Sequence, residues 1–292
     1  MSIYAGFEHI VRENEPLSTY TRLHLGGVAE YFAEPTTIEE LVGLVKVFSA
    51  EDLPIRLIGD GSNVLIRGEG VPGLVLHLNA PVFASIEVDG TRIKTGGGAR
   101  MSHFVSTAVR EGLSGPEQLV GIPGTIGGAL HTNTGAHGVD IGTWIVSADV
   151  VTRSGELIQR EKDSLNFSYR QSSLNELVIV SATFEFEREP TEELTRRMQK
   201  LWIVRRAAQP ITDRRAAYIF KDHGGEKANE LIEAAGLKGT RVGEVEVSDT
   251  DPNVFVANPG ATSDDVLRLM EIVKGQVSDR LSIDLEPAIQ IW

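Results

Sequence analysis

The feature that most constrains how this chain can fold is a glycine-rich segment at residues 121–138. It reads GIPGTIGGALHTNTGAHG and holds six of the 30 glycines in the 292-residue sequence. Because glycine loses more conformational freedom on folding than any other residue, such a concentration is unfavourable unless the backbone must turn sharply or approach something closely. A loop that only packs two subdomains together is therefore a weak explanation. We expect the backbone at Gly124, Gly127 and Gly128 to lie against a flat or anionic ligand.

A second glycine turn, Gly59-Asp60-Gly61-Ser62-Asn63, lies between two short apolar runs that predict strands. Such a turn can expose backbone N–H groups as a concave anion site, and Ser62 and Asn63 add side-chain donors. A diphosphate fits this chemistry, although Asp60 would repel it unless its carboxylate points away. An ordinary tight β-turn is the alternative. The 121–138 segment lacks the spacing of a Rossmann dinucleotide fingerprint.

Composition excludes several classes of function. The 28 Lys+Arg and 41 Asp+Glu residues give a net charge of −13, which argues against a general nucleic-acid binder. The absence of cysteine removes disulfides, thiolate metal sites and cysteine nucleophiles, and the seven histidines show no metal-ligand spacing. The sequence shows no signal peptide and no apolar run of about 18 residues, so we expect a cytoplasmic protein without membrane contact and without a metal.

The pattern of apolar residues predicts an α+β fold in three domains. Residues 1–81 follow the order strand, helix, strand, loop, strand, and residues 284–292 are expected to join them. Residues 82–190 contain more strands than helices and form the second domain. Residues 191–283 form the third domain, in which two strands stand among helices.

Two helix starts can be read from the sequence. A predicted helix at residues 41–48 follows Thr36-Thr37 and the acids Glu39-Glu40, a pattern that is typical of a capped N-terminus. A long helix at residues 266–281 is predicted to be capped by Ser263-Asp264-Asp265.

Two short stretches carry further candidate catalytic side chains. Arg170 stands beside Tyr169 outside any predicted helix, and such a cation can hold a carboxylate or an enolate, although most such arginines are solvated or paired. In the second stretch, Tyr218 could donate a proton and Lys221 could bind phosphate. The alternative for this stretch is an apolar strand with a surface lysine.

Taken together, these motifs resemble the MurB family, the flavin-dependent UDP-N-acetylenolpyruvoylglucosamine reductases of peptidoglycan synthesis. The resemblance covers nearly the whole chain and keeps the order of the family's motifs. Those motifs are T-x-x-x-x-G-G-x-A at 21–29, G-x-G-S-N at 59–63, the glycine signature at 121–138, F-x-Y-R-x-S at 167–172, L-I-E-x-A-G-L-K-G at 231–239 and L-E-P at 285–287. The chain is compact after Arg206, as in the shorter subclass of the family.

The resemblance implies a vanillyl-alcohol-oxidase (PCMH-type) FAD-binding fold, with two α/β subdomains and a C-terminal α+β substrate domain. It also implies a reaction in which NADPH reduces FAD and the flavin gives hydride to the enolpyruvyl double bond of a UDP-sugar. The residues that would hold the FAD diphosphate are Gly59, Gly61, Ser62 and Asn63. Those that would line the rest of the flavin site are Gly124, Thr125, Gly128, Asn133 and Gly135. Arg170 would stabilise the enolate, and substrate contacts would come from Tyr169, Lys221 and Asp222.

The sequence departs from the family at the positions that handle the substrate. Tyr218 occupies the position of the proton-donating Ser or Cys, and Ala288 occupies that of the catalytic Glu and cannot ionise. Glu286 lies two residues from Ala288 on a predicted strand and would share its face. A His that the family carries is missing around Asp251-Pro252. The interpretation is a divergent reductase with Tyr218 as proton donor. The alternatives are a flavoprotein acting on another substrate, or a module that binds a UDP-sugar without turnover. The sequence leaves the oligomeric state open.

Overall fold

The computed structural model describes residues 3–208 and 215–292. The α-helices of these residues are α1 (Ile38–Ala50), α2 (Pro81–Ala84), α3 (Met101–Arg110), α4 (Ile126–His131), α5 (Thr191–Ala208), α6 (Ala228–Ala234) and α7 (Ser263–Leu281). The first eleven strands are β1 (Val11–Pro16), β2 (Val28–Ala33), β3 (Ile55–Ile58), β4 (Val64–Leu65), β5 (Val71–His77), β6 (Ile86–Asp89), β7 (Arg92–Gly96), β8 (Leu113–Ser114), β9 (Gly135–Ala136), β10 (Val139–Asp140) and β11 (Ile145–Val151). The remaining strands are β12 (Leu157–Glu161), β13 (Phe167–Ser168), β14 (Gln171–Ser172), β15 (Val178–Glu185), β16 (Glu187–Arg188), β17 (Ala216–Tyr218), β18 (Arg241–Val242), β19 (Val245–Val247), β20 (Val254–Ala257) and β21 (Gln290–Ile291).

The chain divides into two compact units. Unit 1 takes in the N-terminal stretch up to Asn14, together with Glu30–Asp60 and Pro72–Ile203. Unit 2 takes in Glu15–Ala29, Gly61–Val71 and the described part of Val204–Trp292. The glycine turn at residues 59–63 therefore begins in unit 1 and ends in unit 2. The three domains with boundaries at residues 81, 190 and 283 stay a prediction.

Helix α1 packs on a sheet of strand order β1-β2-β5-β3, in which β3 and β5 run parallel. The predicted capped start is confirmed, because the Thr37 hydroxyl accepts from the Glu40 N–H while the Glu40 carboxylate accepts from the Thr37 N–H. The helix begins at Ile38, three residues before the predicted Leu41. Four apolar residues at helical spacing share one face of α1 and are buried on the sheet: Leu41, Leu44, Val45 and Phe48. This packing fixes where β3 ends and therefore where the first glycine turn starts.

The larger sheet of unit 1 is antiparallel and has the order β12-β11-β15-β7-β6. Helices α3 and α4 contribute buried residues to the core that covers it. Phe104 of α3 and Phe184 of β15 lie with their ring centroids 5.0 Å apart in this core. Helix α4 begins at Ile126, within the glycine-rich segment 121–138, and its buried residues join this segment to the core.

Unit 2 is built on an antiparallel sheet of order β17-β20-β19-β18. Helices α6 and α7 bury one face on this sheet, in a core that includes Leu231, Val266 and Phe255. The C-terminal strand β21 pairs in parallel with β4, with Gln290 opposite Val64. The end of the chain is thereby fixed beside the second half of the 59–63 turn.

The predicted α+β character is confirmed, but three details of the sequence interpretation are wrong. The cap of α7 is Thr262, whose hydroxyl accepts from the Asp265 N–H, and Ser263 is already the first helical residue. The predicted order of residues 1–81 has one strand before the helix, whereas two strands, β1 and β2, precede α1. The segment from Glu286 to Ala288 contains only a single bridge, Phe220 to Pro287, so the argument that its residues alternate as in a strand does not hold. Across residues 3–208 and 215–292, no helix combines the length and apolar character that a membrane crossing needs.

Candidate functional site

The two flavin motifs meet within unit 1 at Gly59 and Thr125. A Cβ atom added at Gly59 would lie 2.6 Å from the Thr125 hydroxyl oxygen, a distance that real Cβ atoms do not tolerate. Gly59 directly follows β3, and Thr125 directly precedes α4. Only glycine therefore allows the end of the strand to approach the start of the helix so closely.

The glycine-rich loop is held by backbone contacts that leave part of it open. Gly124 has φ +118° and its carbonyl accepts from the Met101 N–H at 3.0 Å. The Thr125 hydroxyl caps α4 by accepting from the Gly128 N–H at 3.3 Å. The Gly127 N–H donates to the Gly97 carbonyl at 2.7 Å. The N–H groups of Gly124 and Thr125 donate to no acceptor in the described residues, so both can contact an anionic or carbonyl group of a ligand.

Asn133 is buried in unit 1, and its amide joins two segments of the site. It is 1% exposed, and its Nδ2 donates to the Ser168 carbonyl at 2.8 Å and to the Asp140 carboxylate at 3.3 Å. Its Oδ1 accepts from the Gly142 N–H at 3.2 Å. Next to it, a Cβ on Gly135 would collide with Asp140, so this position also requires glycine. These contacts fix the loop after α4 against the stretch that leads to Arg170.

Arg170 lies in the two-residue turn between β13 and β14, in a left-handed conformation with φ +55°. Its guanidinium carbon stands 5.6 Å from the centroid of the Tyr169 ring. Among residues 3–208 and 215–292, no side chain or carbonyl forms a hydrogen bond or ion pair with this guanidinium. A cation held by a strained turn and an aromatic face, with its donors uncommitted, is suited to a carboxylate ligand.

In unit 2, the turn at Gly61–Asn63 is packed from both sides. Gly61 has φ +60°, and a Cβ there would lie 1.9 Å from the Tyr20 carbonyl oxygen. The Asn63 Nδ2 donates to the Ala288 carbonyl at 3.1 Å, while the Asn63 carbonyl accepts from the Gln290 N–H at 3.0 Å. The segment around residue 20 and the C-terminal strand therefore set the shape of this turn.

The turn fits the diphosphate that the family fold implies. Its successive N–H groups at Gly61, Ser62 and Asn63 donate to no acceptor in the part of the chain that the structure describes, and neither does the Ser62 hydroxyl. Successive unpaired amides in a glycine turn form an anion-binding concavity. Asp60 does not oppose this fit strongly, because its exposed carboxylate lies 4.0 Å from the Arg100 Nε, which offsets part of its charge.

Tyr218 is the last residue of β17 and reaches a buried carboxyl group. Its hydroxyl donates to Asp251 Oδ2 at 2.9 Å. Burial raises the pKa of the Asp251 carboxyl, and the nearby Asp222 carboxylate raises this pKa as well. The hydrogen bonds from Tyr218 and from the Asn253 N–H act in the opposite direction, but the pKa stays above its ordinary value.

The other predicted substrate residues of unit 2 have partners within the unit. The Lys221 ammonium lies 3.3 Å from the Glu286 carboxylate, so Glu286 pairs with a lysine instead of standing in for Ala288. The Asp222 carboxylate accepts from the Ala228 N–H at 2.9 Å and so holds the start of α6. The Ala288 N–H donates to the Ile219 carbonyl at 2.7 Å, which brings position 288 beside the residue that follows Tyr218.

Sequence reasoning missed Asp251 and Asn253. Asn253 is buried, and its side chain accepts from the Phe220 N–H at 2.9 Å and donates to the Phe220 carbonyl at 2.8 Å. Polar residues at 251 and 253 flank Pro252 between two predicted strands. This pattern is typical of an ordinary turn. Only the pairing of β17 with β20 shows that this turn faces Tyr218.

Comparison with known proteins identifies the family. A protein-family model described as an FAD binding domain matches residues 29–160, and one described as the UDP-N-acetylenolpyruvoylglucosamine reductase C-terminal domain matches residues 209–292. A protein named UDP-N-acetylenolpyruvoylglucosamine reductase from Rhodopirellula baltica is 40% identical over 284 residues, which is 97% of this chain and 93% of that protein. The chain belongs to the MurB family.

Other MurB proteins support the same identification. A reductase of the same name from Listeria innocua is 36% identical over 99% of this chain and 98% of its own length. The crystal structure of MurB from Thermus caldophilus matches with a TM-score of 0.83 at 33% identity, covering 97% of this chain and 99% of that one. The resemblance inferred from the motifs, the vanillyl-alcohol-oxidase type of fold and FAD as the cofactor are confirmed. The roles of individual residues in this MurB family member stay predictions.

Proposed function

We propose that this chain reduces UDP-N-acetylglucosamine enolpyruvate to UDP-N-acetylmuramate with NADPH as the electron source, as a step of peptidoglycan synthesis. The observation that carries the proposal is Arg170, a cation without a hydrogen bond or ion pair among the described residues, in the position that the family motif assigns to enolate stabilisation. The Rhodopirellula and Listeria relatives carry the name of this reductase and so favour it over a flavoprotein with altered or lost activity.

Bound FAD supplies the hydride that the reaction adds to the substrate double bond. The residues of the chain supply binding, charge stabilisation and a proton. The amides of Gly61, Ser62 and Asn63 bind the diphosphate of the cofactor, and the N–H groups of Gly124 and Thr125 contact the rest of it. Asn133 and Gly135 act indirectly, because their contacts hold the loop in shape.

Two side chains act on the substrate, one by stabilising charge and one by donating a proton. Hydride addition leaves negative charge on the enolpyruvyl carboxylate, and the Arg170 guanidinium stabilises this charge through its free donors. The neighbouring carbon then needs a proton, which the Tyr218 hydroxyl donates. Tyr169, Lys221 and Asp222 contribute to substrate binding. The ammonium of Lys221 is the cation of this group that can contact a phosphate. Because NADPH and nucleotide sugars are metabolites of the cytoplasm, we propose that the protein acts there.

An anaerobic stopped-flow experiment tests the function. FAD-loaded protein is first reduced with NADPH and then mixed with UDP-N-acetylglucosamine enolpyruvate, while the visible flavin absorbance is recorded. We expect the substrate to reoxidise the flavin, and UDP-N-acetylmuramate to form in equal amount. Flavin that is reduced by NADPH and stays reduced with this substrate would overturn the proposal.

A further inference from the structure

The hydrogen bond between Tyr218 and Asp251 joins an exposed group to a buried one. The tyrosine is 40% exposed, whereas Asp251 is 6% exposed. The 2.9 Å separation between the phenol oxygen and Asp251 Oδ2 is an ordinary hydrogen-bond distance, across which a proton can be transferred. The Asp251 Oδ2 atom thus bonds to a phenol that faces solvent, a contact that turn formation alone does not require.

The contact between Tyr218 and Asp251 depends on the pairing of two strands and on hydrogen bonds within one turn. Strands β17 and β20 are antiparallel neighbours with Tyr218 opposite Val254, so the turn before β20 lies beside Tyr218. Within this turn the Asn253 N–H donates to Asp251 Oδ1 at 3.1 Å. The Ser248 hydroxyl accepts from the Asp251 N–H at 3.3 Å. The carboxyl group is thus oriented by its own turn, with Oδ2 directed to the phenol.

We propose that Asp251 is the positioning residue and proton reservoir of Tyr218. This inference rests on the proposed function, in which the Tyr218 hydroxyl donates to the substrate carbon. The relay uses the protonated acid, in which Asp251 Oδ2–H donates to the phenol oxygen, the reverse of the bond in the structure, and leaves the phenol hydrogen for the substrate carbon. As the phenol O–H bond breaks and the new C–H bond forms, Asp251 transfers its proton to the phenol oxygen. The phenol is restored, Asp251 is left as a carboxylate, and a proton from solvent returns through Tyr218 before the next turnover. This proton transfer changes no oxidation state.

The charged surroundings favour the protonated form that the relay needs. Burial raises the pKa of Asp251, and the Asp222 carboxylate, on the segment that follows β17, raises it further. Lys227 lies near enough to Asp222 for this carboxylate, after Glu230, to raise the pKa of Lys227. A raised pKa keeps the acid form of Asp251 populated to higher pH than for an ordinary aspartate. Deprotonation then leaves a carboxylate beside the phenol, which opposes formation of a phenolate and slows proton donation.

A titration that does not depend on turnover tests the pair. The carbon-13 signal of the Asp251 carboxyl in FAD-loaded protein, assigned by its loss in Asp251→Asn, is followed against pH. We expect a midpoint above about 3.9, the ordinary value for aspartate. Tyr218→Phe should raise this midpoint further, because it removes a hydrogen bond that favours the carboxylate. A midpoint at or below the ordinary value, or one that Tyr218→Phe leaves unchanged, would overturn the proposal.

The pH profile of flavin reoxidation by the enolpyruvyl substrate tests the relay. In the unaltered protein the rate should fall as pH rises through the Asp251 midpoint. Asp251→Asn should lower the rate about 10²-fold, the low end of the range for loss of a general acid, and should make it independent of pH across that midpoint. Asp251→Glu should restore part of the rate and the pH dependence. The matched control is Asp249→Asn, an exposed aspartate of the same turn, which should keep the full profile.

The outcomes separate the two proposals. If the substrate does not reoxidise the flavin of the unaltered protein at any pH, the proposed function fails, and the relay to that substrate fails with it. The titration of Asp251 still decides whether its carboxyl group and Tyr218 are coupled. If the unaltered protein turns over and Asp251→Asn keeps its rate and profile, the relay fails and the function stands. Retention of FAD by Asp251→Asn shows that the variant is folded. Should that variant lose FAD, the Asp251 midpoint in Tyr218→Phe gives the decision.

Discussion

The side-chain amide of Asn133 donates to the Ser168 carbonyl at 2.8 Å, directly before the turn that carries Tyr169 and Arg170. The two residues belong to different family motifs, one in the glycine signature and one in the F-x-Y-R-x-S stretch. The bond links the loop that we assign to the flavin with the cation that we assign to the substrate carboxylate. A residue expected to touch the flavin thus also sets the position of a substrate residue.

Replacing Asn133 by alanine should affect stability and substrate binding together. The change leaves the buried Gly142 N–H without its partner, at a cost of about 1–3 kcal/mol, and removes the bond to the carbonyl of the exposed Ser168. Because the turn before Arg170 loses its anchor, KM for the UDP-sugar should rise in steady-state assays. Asn175→Ala, an exposed asparagine of the same unit, is the control and should change neither quantity. An unchanged KM in Asn133→Ala would contradict the link.

Removing the Arg170 guanidinium should separate the two halves of the reaction. In Arg170→Ala, reduction of the flavin by NADPH should proceed as before, because this residue acts on the substrate carboxylate alone. Reoxidation by the enolpyruvyl substrate should slow by about 10²–10³-fold, the usual effect of losing one group that stabilises developing negative charge. Stopped-flow absorbance measures both steps. The matched control is Arg153→Ala, an exposed arginine of unit 1, which should leave both rates unchanged. Equal slowing of both steps in Arg170→Ala would point to a structural role.

The capping carboxylate of α1 should make stability depend on pH in the acid range. Hydrogen bonds from the Thr36 N–H and hydroxyl, from His9 and from the Thr37 N–H lower the pKa of Glu40 to about 2. Because this pKa is lower in the folded than in the unfolded chain, the stabilisation is complete above the ordinary value of 4.5 and is lost as pH falls toward about 2. Glu40→Gln should therefore cost about 1 kcal/mol at pH 7 and progressively less below pH 4.5. Urea unfolding at several pH values measures the difference, with Glu39→Gln in the same helical turn as the control variant.

The sequence was most informative where the backbone itself is the functional group. The turns at 59–63 and 121–138 could be predicted because glycine at a close approach has no substitute, as the contacts of Gly59 and Gly61 show. The cap of α1 was readable for a similar reason, since a capping box is a local pattern. Asp251 and Asn253 could not be found in this way. Their roles depend on the pairing of β17 with β20, and no pattern within the turn itself records which strand will face it.

A double substitution at Gly59 and Thr125 tests the close approach of the two flavin motifs. Gly59→Ala alone should weaken FAD binding, because its Cβ would lie 2.6 Å from the Thr125 hydroxyl oxygen and 3.3 Å from its methyl carbon. Thr125→Ala alone should cost about 1 kcal/mol through loss of the cap of α4. The double variant should bind FAD better than Gly59→Ala, because the nearest remaining atom, the Cβ of residue 125, lies 3.5 Å away. Quenching of flavin fluorescence measures the affinities.

Gly275→Ala, a helical glycine of α7 with no atom within 4 Å of the added Cβ, is the control and should stabilise the protein by up to about 1 kcal/mol. Losses of affinity that simply add in the double variant would show that the contact between these two residues does not shape the flavin site.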